Sequence, residues 1–366
     1  MTYLLIGAVM LLSFANGAND NFKGVATLWG AGRTSYKRAL AWATGFTLLG
    51  SLVAIWGAAG LVAKFNGSKL VGAAVYTQIP FLAAVALGTA ATVLLASRLG
   101  LPVSTTHALT GALVGAGVIA AGPAQVRFGA LGIGVVLPLL FSPVVALLLT
   151  VAVYPLVIRM GRLAGNRDCL CVDQPFAVEV TPANAALSAD AALSAVPALR
   201  WAAASECETG AEVARFSIGD GVHWLSGAAI SFARGLNDTP KIVALLLVAA
   251  AGAVQLNYVL VAVGMAVGGA LGALRVAETM SRRITPMKSP EAISANLVAA
   301  SLVTAASYFA LPVSTTHVTS GAIFGIGMLH RGHADGRRVR EIVLSWVATL
   351  PLGAGLAAGG YWLLTR

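Results

Sequence analysis

One seven-residue run stands twice in this chain, as LPVSTTH at residues 101–107 and again, letter for letter, at residues 311–317. A second pair accompanies it, because SFANGANDNFK at residues 13–23 returns as SFARGLNDTPK at residues 231–241. The copies are 210 and 218 residues apart and keep the same order. Two unrelated motifs thus report one internal duplication. We infer that the chain consists of two related halves.

The composition indicates the environment of both halves. Charged residues make up 10% of the 366, hydrophobic residues make up 58%, and the mean hydropathy is +0.83. A soluble chain carries about 25% charged residues, so this composition excludes soluble enzymes and disordered chains. The net charge of +10 comes from short clusters between apolar stretches. That pattern is typical of membrane topology signals and not of a nucleic-acid-binding face.

Ten apolar segments form two groups of five, and most are near the ~20 residues that cross a bilayer as a helix. They lie at about 2–31, 39–63, 75–97, 101–121, 128–158, 217–251, 255–275, 292–310, 311–329 and 342–364. The polar, Ala-rich stretch between the groups holds seven of the fourteen acidic residues, so it is expected outside the bilayer. We predict an all-α integral membrane protein with a first membrane repeat at 1–159, a polar linker at 160–216 and a second repeat at 217–366.

The number of segments predicts the orientation of the halves. Five segments per half is an odd number of crossings, so the repeats are expected to be inverted. The parity is the same if the third and fourth segments of each half form a re-entrant helical hairpin around the LPVSTTH run. One set of alternate loops carries seventeen basic residues and the other carries four. The positive-inside rule then predicts a multi-pass protein of the cell inner (plasma) membrane, with a cytoplasmic linker and both termini outward.

Five charged residues lie in the middle of apolar segments, where a charge costs at least about 2.5 kcal/mol. They are Asp20, Lys23, Arg234, Asp238 and Lys241. Such residues usually mark a substrate or ion pathway, and the alternative is an internal pair that only holds helices together. Both halves place Asn-Asp-x-x-Lys at the same point of the repeat. This repetition favours the pathway.

Each of these charged stretches is predicted to interrupt its helix. Gly17 and Gly235 loosen the helix, and the Asn-Asp pairs at 19–20 and 237–238 are good N-caps for a helix that restarts there. The Pro-x-Ser-Thr-Thr of each LPVSTTH run stops one helix and caps the next. Pseudo-symmetry would bring four helix N-termini around one point, as a cradle of N–H groups for a tetrahedral oxyanion.

Two histidines, His107 and His317, directly follow the hydroxyl runs. They are either proton carriers or packing residues. A Ser-His-Asp hydrolase would use the same letters, but no Gly-x-Ser-x-Gly elbow is present and the duplication would require two active sites. No Walker A sequence occurs. We therefore expect neither an enzyme nor an ATP-driven pump, and no cofactor or bound metal.

The motif set resembles the inorganic phosphate transporter family often called PiT. The similarity carried by GAND at 17–20, GLND at 235–238 and the two LPVSTTH runs extends through Ala277-Glu278-Thr279 and Ile284-Thr285-Pro286. The resemblance implies an inverted-repeat secondary transporter, often a homodimer, that holds phosphate between its halves. The resemblance assigns substrate binding to Asn19, Asp20, Ser104, Thr105, Thr106, Asn237, Asp238, Ser314, Thr315 and Thr316. The intramembrane lysines Lys23 and Lys241 complete the predicted set on the strength of their own charge and repetition.

One departure from the family pattern concerns the coupling ion. The family usually has a further Asn three residues after each Asp, which helps to build its Na⁺ sites, and here both positions are Lys. If Arg234 faces the site, three cations and two carboxylates give a formal charge of +1. We therefore expect Na⁺-independent, H⁺-coupled phosphate uptake by alternating access. Asp20 and Asp238 are the first candidates for the proton, and His107, His317 and Arg234 are further coupling candidates.

Other functions use the same features. A sulfate permease of this family, a Na⁺-coupled phosphate symporter and a passive anion channel would all present the same helix ends to an anion. Sulfate and phosphate are both tetrahedral and both accept hydrogen bonds from helix N-termini. A metal–phosphate complex is a further candidate substrate.

Overall fold

The computed structural model describes residues 1–57, 59–163, 169–173, 198–202, 212–248, 253–283, 287–329 and 335–366. Helices dominate it. Those of the first half are α1 (Thr2–Asp20), α2 (Ala26–Gly30), α3 (Tyr36–Gly57), α4 (Ala59–Phe65), α5 (Ala73–Tyr76), α6 (Ile79–Arg98), α7 (Thr105–Ala121), α8 (Phe128–Leu131) and α9 (Leu137–Leu163). Those of the second half are α10 (Ile218–Leu247), α11 (Val254–Gly272), α12 (Leu274–Glu278), α13 (Ser289–Tyr308), α14 (Thr315–Leu329) and α15 (Gly336–Leu364).

Several of these helices are suited to a bilayer. Six helical spans within the described residues are long and apolar enough to cross a membrane. α7 and α14 are shorter, with 17 and 15 residues. Each packs against the helix before it, α6 or α13, and the LPVSTTH run lies at the turn between them. The predicted multi-pass helical architecture and its two hairpins are therefore confirmed.

The predicted linker contains a small β-sheet that the sequence analysis did not anticipate. Its strands are β1 (Cys169–Asp173), β2 (Ala198–Ala202) and β3 (Glu212–Ser217), in the order β2-β1-β3 with antiparallel pairing. Most of the remaining linker lies outside the described residues. β3 leads directly into α10, so the sheet adjoins the start of the second half.

The helices of the two halves pack in equivalent ways. α1 packs against α11 of the other half, and its counterpart α10 packs against α3. α7 packs against α15, and its counterpart α14 packs against α9. Exchanging the halves leaves this pattern unchanged, and each of these pairs joins one helix from each half, so the halves are interlocked. Their antiparallel orientation across a membrane stays a prediction.

Glycines allow this interlocking to be close. A Cβ built on Gly17 of α1 would lie 1.9 Å from the backbone oxygen of Met265 in α11. A Cβ built on Gly235 of α10 would lie 2.1 Å from the backbone oxygen of Thr47 in α3. Because a Cβ cannot approach an oxygen so closely, only glycine fits at either position. The two motif glycines permit helix contact. α1 ends three residues after Gly17, but α10 continues past Gly235 to Leu247, so the predicted loosening was wrong at Gly235.

This packing predicts different effects for two substitutions on one helix. Gly17→Ala is expected to lower the midpoint of thermal unfolding of the purified protein by about 5 °C, because overpacking costs about 1–3 kcal/mol. Gly7→Ala is the matched control, since a Cβ on Gly7 of α1 meets no atom within 4 Å. It is expected to leave the midpoint unchanged or raise it slightly, because Ala favours a helix over Gly by about 1 kcal/mol. Equal midpoints for the two variants would contradict the close contact.

The predicted helix break is present in the first half and absent from the second. α1 ends at Asp20, and a 3₁₀ turn at Lys23–Val25 precedes α2. α10 instead continues without a break to Leu247, with Pro240 inside it. Proline removes one backbone hydrogen bond, but α3 and α13 pack against α10 and hold it together.

The two Asn-Asp pairs do not cap helices as predicted. Asn19 and Asp20 lie in the last turn of α1, and Asn237 and Asp238 lie inside α10, so neither pair caps a restarted helix. The predicted cradle of four helix N-termini was therefore wrong. The restarted helix of the second half is absent, and the N-termini that carry the hydroxyl runs are those of α7 and α14.

Candidate functional site

The two repeated hydroxyl runs cap α7 and α14. The Ser104 hydroxyl oxygen accepts a hydrogen bond from the His107 backbone N–H at 3.1 Å, and the Ser314 oxygen accepts one from the His317 N–H at 3.2 Å. The predicted Ser caps are thus confirmed. The earlier N–H groups of a first helical turn have no partner within the helix. Both helices therefore present backbone donors and a positive dipole end at these turns.

Oxygen atoms enclose the ammonium group of Lys23. It contacts Oδ1 of Asp20 in a buried ion pair and donates to Oδ1 of Asn19 at 2.9 Å. It also donates to the Val103 carbonyl at 3.1 Å and to the Thr316 hydroxyl at 2.6 Å. Thr316 belongs to the second half, so this ammonium links the two halves.

A second oxygen cage surrounds Lys241 at the equivalent position. Its ammonium donates to Oδ1 of Asp238 at 3.3 Å and to the Val313 carbonyl at 2.8 Å. Its third partner is the Thr106 hydroxyl of the first half, at 2.9 Å. Each lysine thus reaches a carboxylate and a backbone carbonyl on its own side of the repeat, and a threonine of the other half.

The two carboxylates lie close together at the centre of the site. Oδ2 of Asp20 accepts from the Thr105 hydroxyl at 3.2 Å and from the Asn16 amide at 3.1 Å. Oδ2 of Asp238 accepts from the Thr315 hydroxyl at 3.4 Å and from the same Asn16 amide at 3.5 Å. The Asn16 side chain therefore bridges the carboxylates of both halves.

Arg234 faces the site. The predicted formal charge of +1 depended on this orientation. Its Nε lies 3.8 Å from Oδ2 of Asp238, and its Nη2 donates to Oδ1 of Asn16 at 2.6 Å. Its Nη1 donates to Asn21 at 3.0 Å and to Thr47 at 3.2 Å. This guanidinium is 2% exposed and is held entirely by polar side chains of the first half and by Asp238.

Asn16 is a site residue that the sequence analysis missed. It occupies the position in the first half that Arg234 occupies in the second, 218 residues later. The sequence signal that could have identified Asn16 was its alignment with Arg234, a predicted pathway cation. The structure brings these two equivalent residues into direct contact.

The predicted residues Asn19 and Asn237 hold the hydroxyl runs in place. The Asn19 amide donates to the Ser97 hydroxyl at 3.0 Å, and its Oδ1 accepts from the Val103 N–H at 3.1 Å. Oδ1 of Asn237 accepts from the Ser307 hydroxyl at 3.2 Å. Each asparagine thus ties its own helix to the hairpin that carries the run.

The two predicted histidines form a pair beside this cluster. The His107 and His317 rings are edge to face with centroids 4.4 Å apart. Nδ1 of His107 lies 3.2 Å from the Trp346 carbonyl, and Nδ1 of His317 lies 3.3 Å from the Leu139 carbonyl. In the described part of the chain, neither ring is hydrogen-bonded to Asp20 or Asp238. Their role as coupling residues stays a prediction.

The cluster as a whole is closed and cationic. None of the twelve predicted substrate-binding residues is more than 6% exposed. The cations Lys23, Lys241 and Arg234 with the carboxylates Asp20 and Asp238 have a formal charge of +1. Within the described residues, no group of three or more His, Cys, Asp or Glu side chains is arranged to hold a metal ion. This arrangement suits an anion that is bound out of contact with water.

Comparison with known families decides which transport class these features belong to. A sequence model of the phosphate transporter family matches residues 16–357. The chain belongs to the phosphate transporter family. The match spans both repeats and the linker between them, and it confirms the resemblance carried by the duplicated motifs. Because members of this family are transporters, this phosphate transporter family protein is a multi-pass membrane transporter and not an enzyme.

Curated relatives of this phosphate transporter family chain carry consistent names. A Bacillus subtilis (strain 168) protein named "Probable low-affinity inorganic phosphate transporter" is 25% identical over 100% of this chain and 97% of its own length. The "Inorganic phosphate transporter 2-1, chloroplastic" of Arabidopsis thaliana is 28% identical over 100% of this chain and 73% of its own length. Phosphate is therefore the substrate class that the family and its relatives indicate.

A solved structure also shares the fold. The chain described as "The sodium-dependent phosphate transporter" superposes with a TM-score of 0.77 and 22% sequence identity. The alignment covers 100% of this chain and 98% of the other. At this identity, the likeness establishes the fold of the phosphate transporter family protein.

Proposed function

We propose that this protein is a secondary active transporter that takes up inorganic phosphate together with H⁺ and without Na⁺. Uptake proceeds by alternating access between two inverted halves in the cell inner (plasma) membrane. The linker lies in the cytoplasm and both termini face outward. The equivalent packing of the two halves and the positive charge of the predicted cytoplasmic loops support this arrangement.

The observation that carries the proposal is the oxygen cage around each lysine. Carboxylate, carbonyl, amide and hydroxyl oxygens are the ligands that hard cations prefer in proteins. Lys23 places an ammonium among four such oxygens, and Lys241 places one among three. A covalently attached cation supplies the positive charge permanently. A bound Na⁺ is then not needed to neutralise the carboxylates before an anion enters.

The same charges explain how a proton would be coupled to phosphate. A formal charge of +1 neutralises phosphate monoanion, and one proton on a carboxylate raises the charge to +2, which neutralises the dianion. Asp238 lies within 4 Å of two cations, Arg234 and Lys241, whereas Asp20 is paired with Lys23. Since nearby cations favour the ionised carboxylate, Asp20 is the better proton carrier.

Phosphate itself is expected at the N-termini of α7 and α14. The backbone N–H groups and the hydroxyls of Thr105, Thr106, Thr315 and Thr316 converge there with both ammonium groups. Helix N-termini favour tetrahedral oxyanions because their free N–H groups and dipole point at the ligand. Binding in a site without water strengthens each of these interactions.

Uptake of labelled phosphate and labelled sulfate into proteoliposomes tests the proposal, with a pH gradient and a Na⁺ gradient imposed separately. We expect phosphate to accumulate under the pH gradient in choline-containing, Na⁺-free buffer. Accumulation that needs Na⁺ at constant pH would contradict the H⁺ mechanism and favour a Na⁺ symporter. Accumulation of sulfate alone would identify a permease of that anion, and equilibration without accumulation would identify a channel.

A further inference from the structure

A cleft of about 180 Å³ opens on one face of the first half, outside the buried site. The end of α4, the turn after it, α7 and the segment at 130–135 form its walls. Two lysines, Lys64 and Lys69, line the cleft together with Phe65 and Thr110. Neither the predicted site nor the family resemblance assigns these four residues a role.

Both charged side chains that line the cleft are basic. Lys64 and Lys69 are two of the four basic residues in the loops predicted to face outward, and the other two are Arg127 and Arg366. The sequence has no Asp or Glu anywhere between residues 21 and 167, so the first half supplies these loops with no compensating carboxylate. A cleft lined by charges of one sign with low-dielectric walls concentrates ions of the opposite sign.

One aromatic residue, Phe65, adjoins both this cleft and the buried site. Phe65 lines the cleft, is 1% exposed, and has its ring centroid 5.8 Å from the Lys241 ammonium. Thr110, in the same cleft, lies one helical turn after Thr106, and its hydroxyl donates to the Thr106 carbonyl at 2.7 Å. The Thr106 hydroxyl in turn accepts from Lys241. The cleft thus adjoins the Lys241 side of the site, through Phe65 and through Thr110.

We propose that this cleft is a phosphate entry vestibule, in which Lys64 and Lys69 concentrate the oxyanion and Phe65 forms the barrier to the site. The proposal rests on the proposed function and adds the route by which substrate reaches it. The lysines act through long-range attraction and do not contact the substrate in the closed site. Their effect is therefore on capture of phosphate and not on the later steps of transport.

Kinetics of phosphate uptake by intact cells that express the protein test the vestibule. The double variant Lys64→Gln and Lys69→Gln is expected to raise KM for external phosphate about fivefold at low ionic strength and to leave kcat unchanged. The difference is expected to disappear in ~1 M salt, where the Debye length is about 3 Å. Lys37→Gln is the matched control, since Lys37 is an exposed lysine at the start of α3, in a loop predicted to face the cytoplasm, and does not line the cleft.

A charge-restoring experiment distinguishes electrostatics from a structural effect. Lys64→Cys treated from outside with a cationic methanethiosulfonate reagent is expected to recover the parent KM, and an anionic reagent is expected to raise KM further. The parent protein treated in the same way is the control for its own cysteines. Equal KM values after both reagents would overturn the role of the lysines.

The barrier has its own test. Phe65→Ala is expected to let labelled phosphate leak across proteoliposome membranes without a pH gradient, whereas Phe65→Trp is expected to slow uptake without a leak. Tight vesicles and slow uptake in both variants would overturn the assignment of Phe65. Failure of the wild-type protein to transport phosphate would instead overturn the proposed function, so the two failures are distinguishable.

Discussion

Phosphate accumulation in the absence of Na⁺ is expected to fall about 10²- to 10³-fold when Lys23→Asn is combined with Lys241→Asn. Removing one partner of a buried ion pair costs about 3–5 kcal/mol, because the other charge is left unpaired. The double variant also changes the formal charge of the site from +1 to −1, which repels the substrate. Uptake of labelled phosphate under a pH gradient, with and without Na⁺, measures the effect.

The same variant tests whether the ammonium groups stand in for Na⁺. The oxygens around Lys23 and Lys241 remain in place, and asparagine adds an amide oxygen to each cage. We expect Na⁺ to restore part of the lost uptake. Lys37→Asn is the control, since Lys37 is exposed at the start of α3. Unchanged uptake in the double variant, with or without Na⁺, would show that the lysines lie outside the pathway.

Loss of proton coupling without loss of phosphate binding is expected for Asp20→Asn. The amide keeps the size of the side chain and mimics a carboxylic acid that is permanently neutral. The site then has a formal charge of +2, the charge it has when Asp20 is protonated, and continues to bind the dianion. Accumulation driven by a pH gradient is expected to fall to background, while exchange of internal for external labelled phosphate continues.

The control for this variant is Asp220→Asn. Asp220 is a partly exposed carboxylate in the first turn of α10, where it pairs with Arg33 at 3.3 Å. Its neutralisation is expected to leave both accumulation and exchange intact. Accumulation by Asp20→Asn at the wild-type level would exclude Asp20 as the proton carrier. The remaining candidates would then be Asp238 and the His107–His317 pair.

The oxygen cages around the two lysines indicate how members of one family could use different ions. The solved structure that shares this fold is described as a sodium-dependent phosphate transporter. On our proposal, this chain keeps the fold and the helix N-termini and replaces two mobile cations by two attached ones. The change requires one residue per half, at positions three after each Asp. Because the site is duplicated, the same replacement occurs at equivalent positions of the two halves.

Much of the fold could be predicted because its signals are local. Hydropathy identifies membrane helices in single segments, and the repeated LPVSTTH and Asn-Asp motifs identify the duplication by direct comparison of letters. The Ser104 and Ser314 caps follow from a proline and a hydroxyl next to each other, so they were predicted correctly. The small sheet of the linker was missed, since its three short strands are separated by long stretches and carry no strong alternation.

Local sequence signals do not decide whether the helix breaks at the Asn-Asp motif. Gly17 and Gly235 precede the same Asn-Asp-x-x-Lys pattern, yet α1 stops at Asp20 and α10 continues to Leu247. Glycine and proline raise the tendency to interrupt a helix, but neighbouring helices decide whether the interruption occurs. The same two glycines turned out to be points of contact with Met265 and Thr47.

By itself the sequence determined that this is a duplicated membrane protein and which residues carry charge inside it, because hydropathy, repetition and charge are properties of the residues in order. Only the tertiary structure decided how those charges are paired. Lys23 reaches Thr316, 293 residues away, and Asn16 bridges Asp20 and Asp238. Contacts of this kind depend on how the two halves interlock, and interlocking depends on surfaces formed after the helices exist.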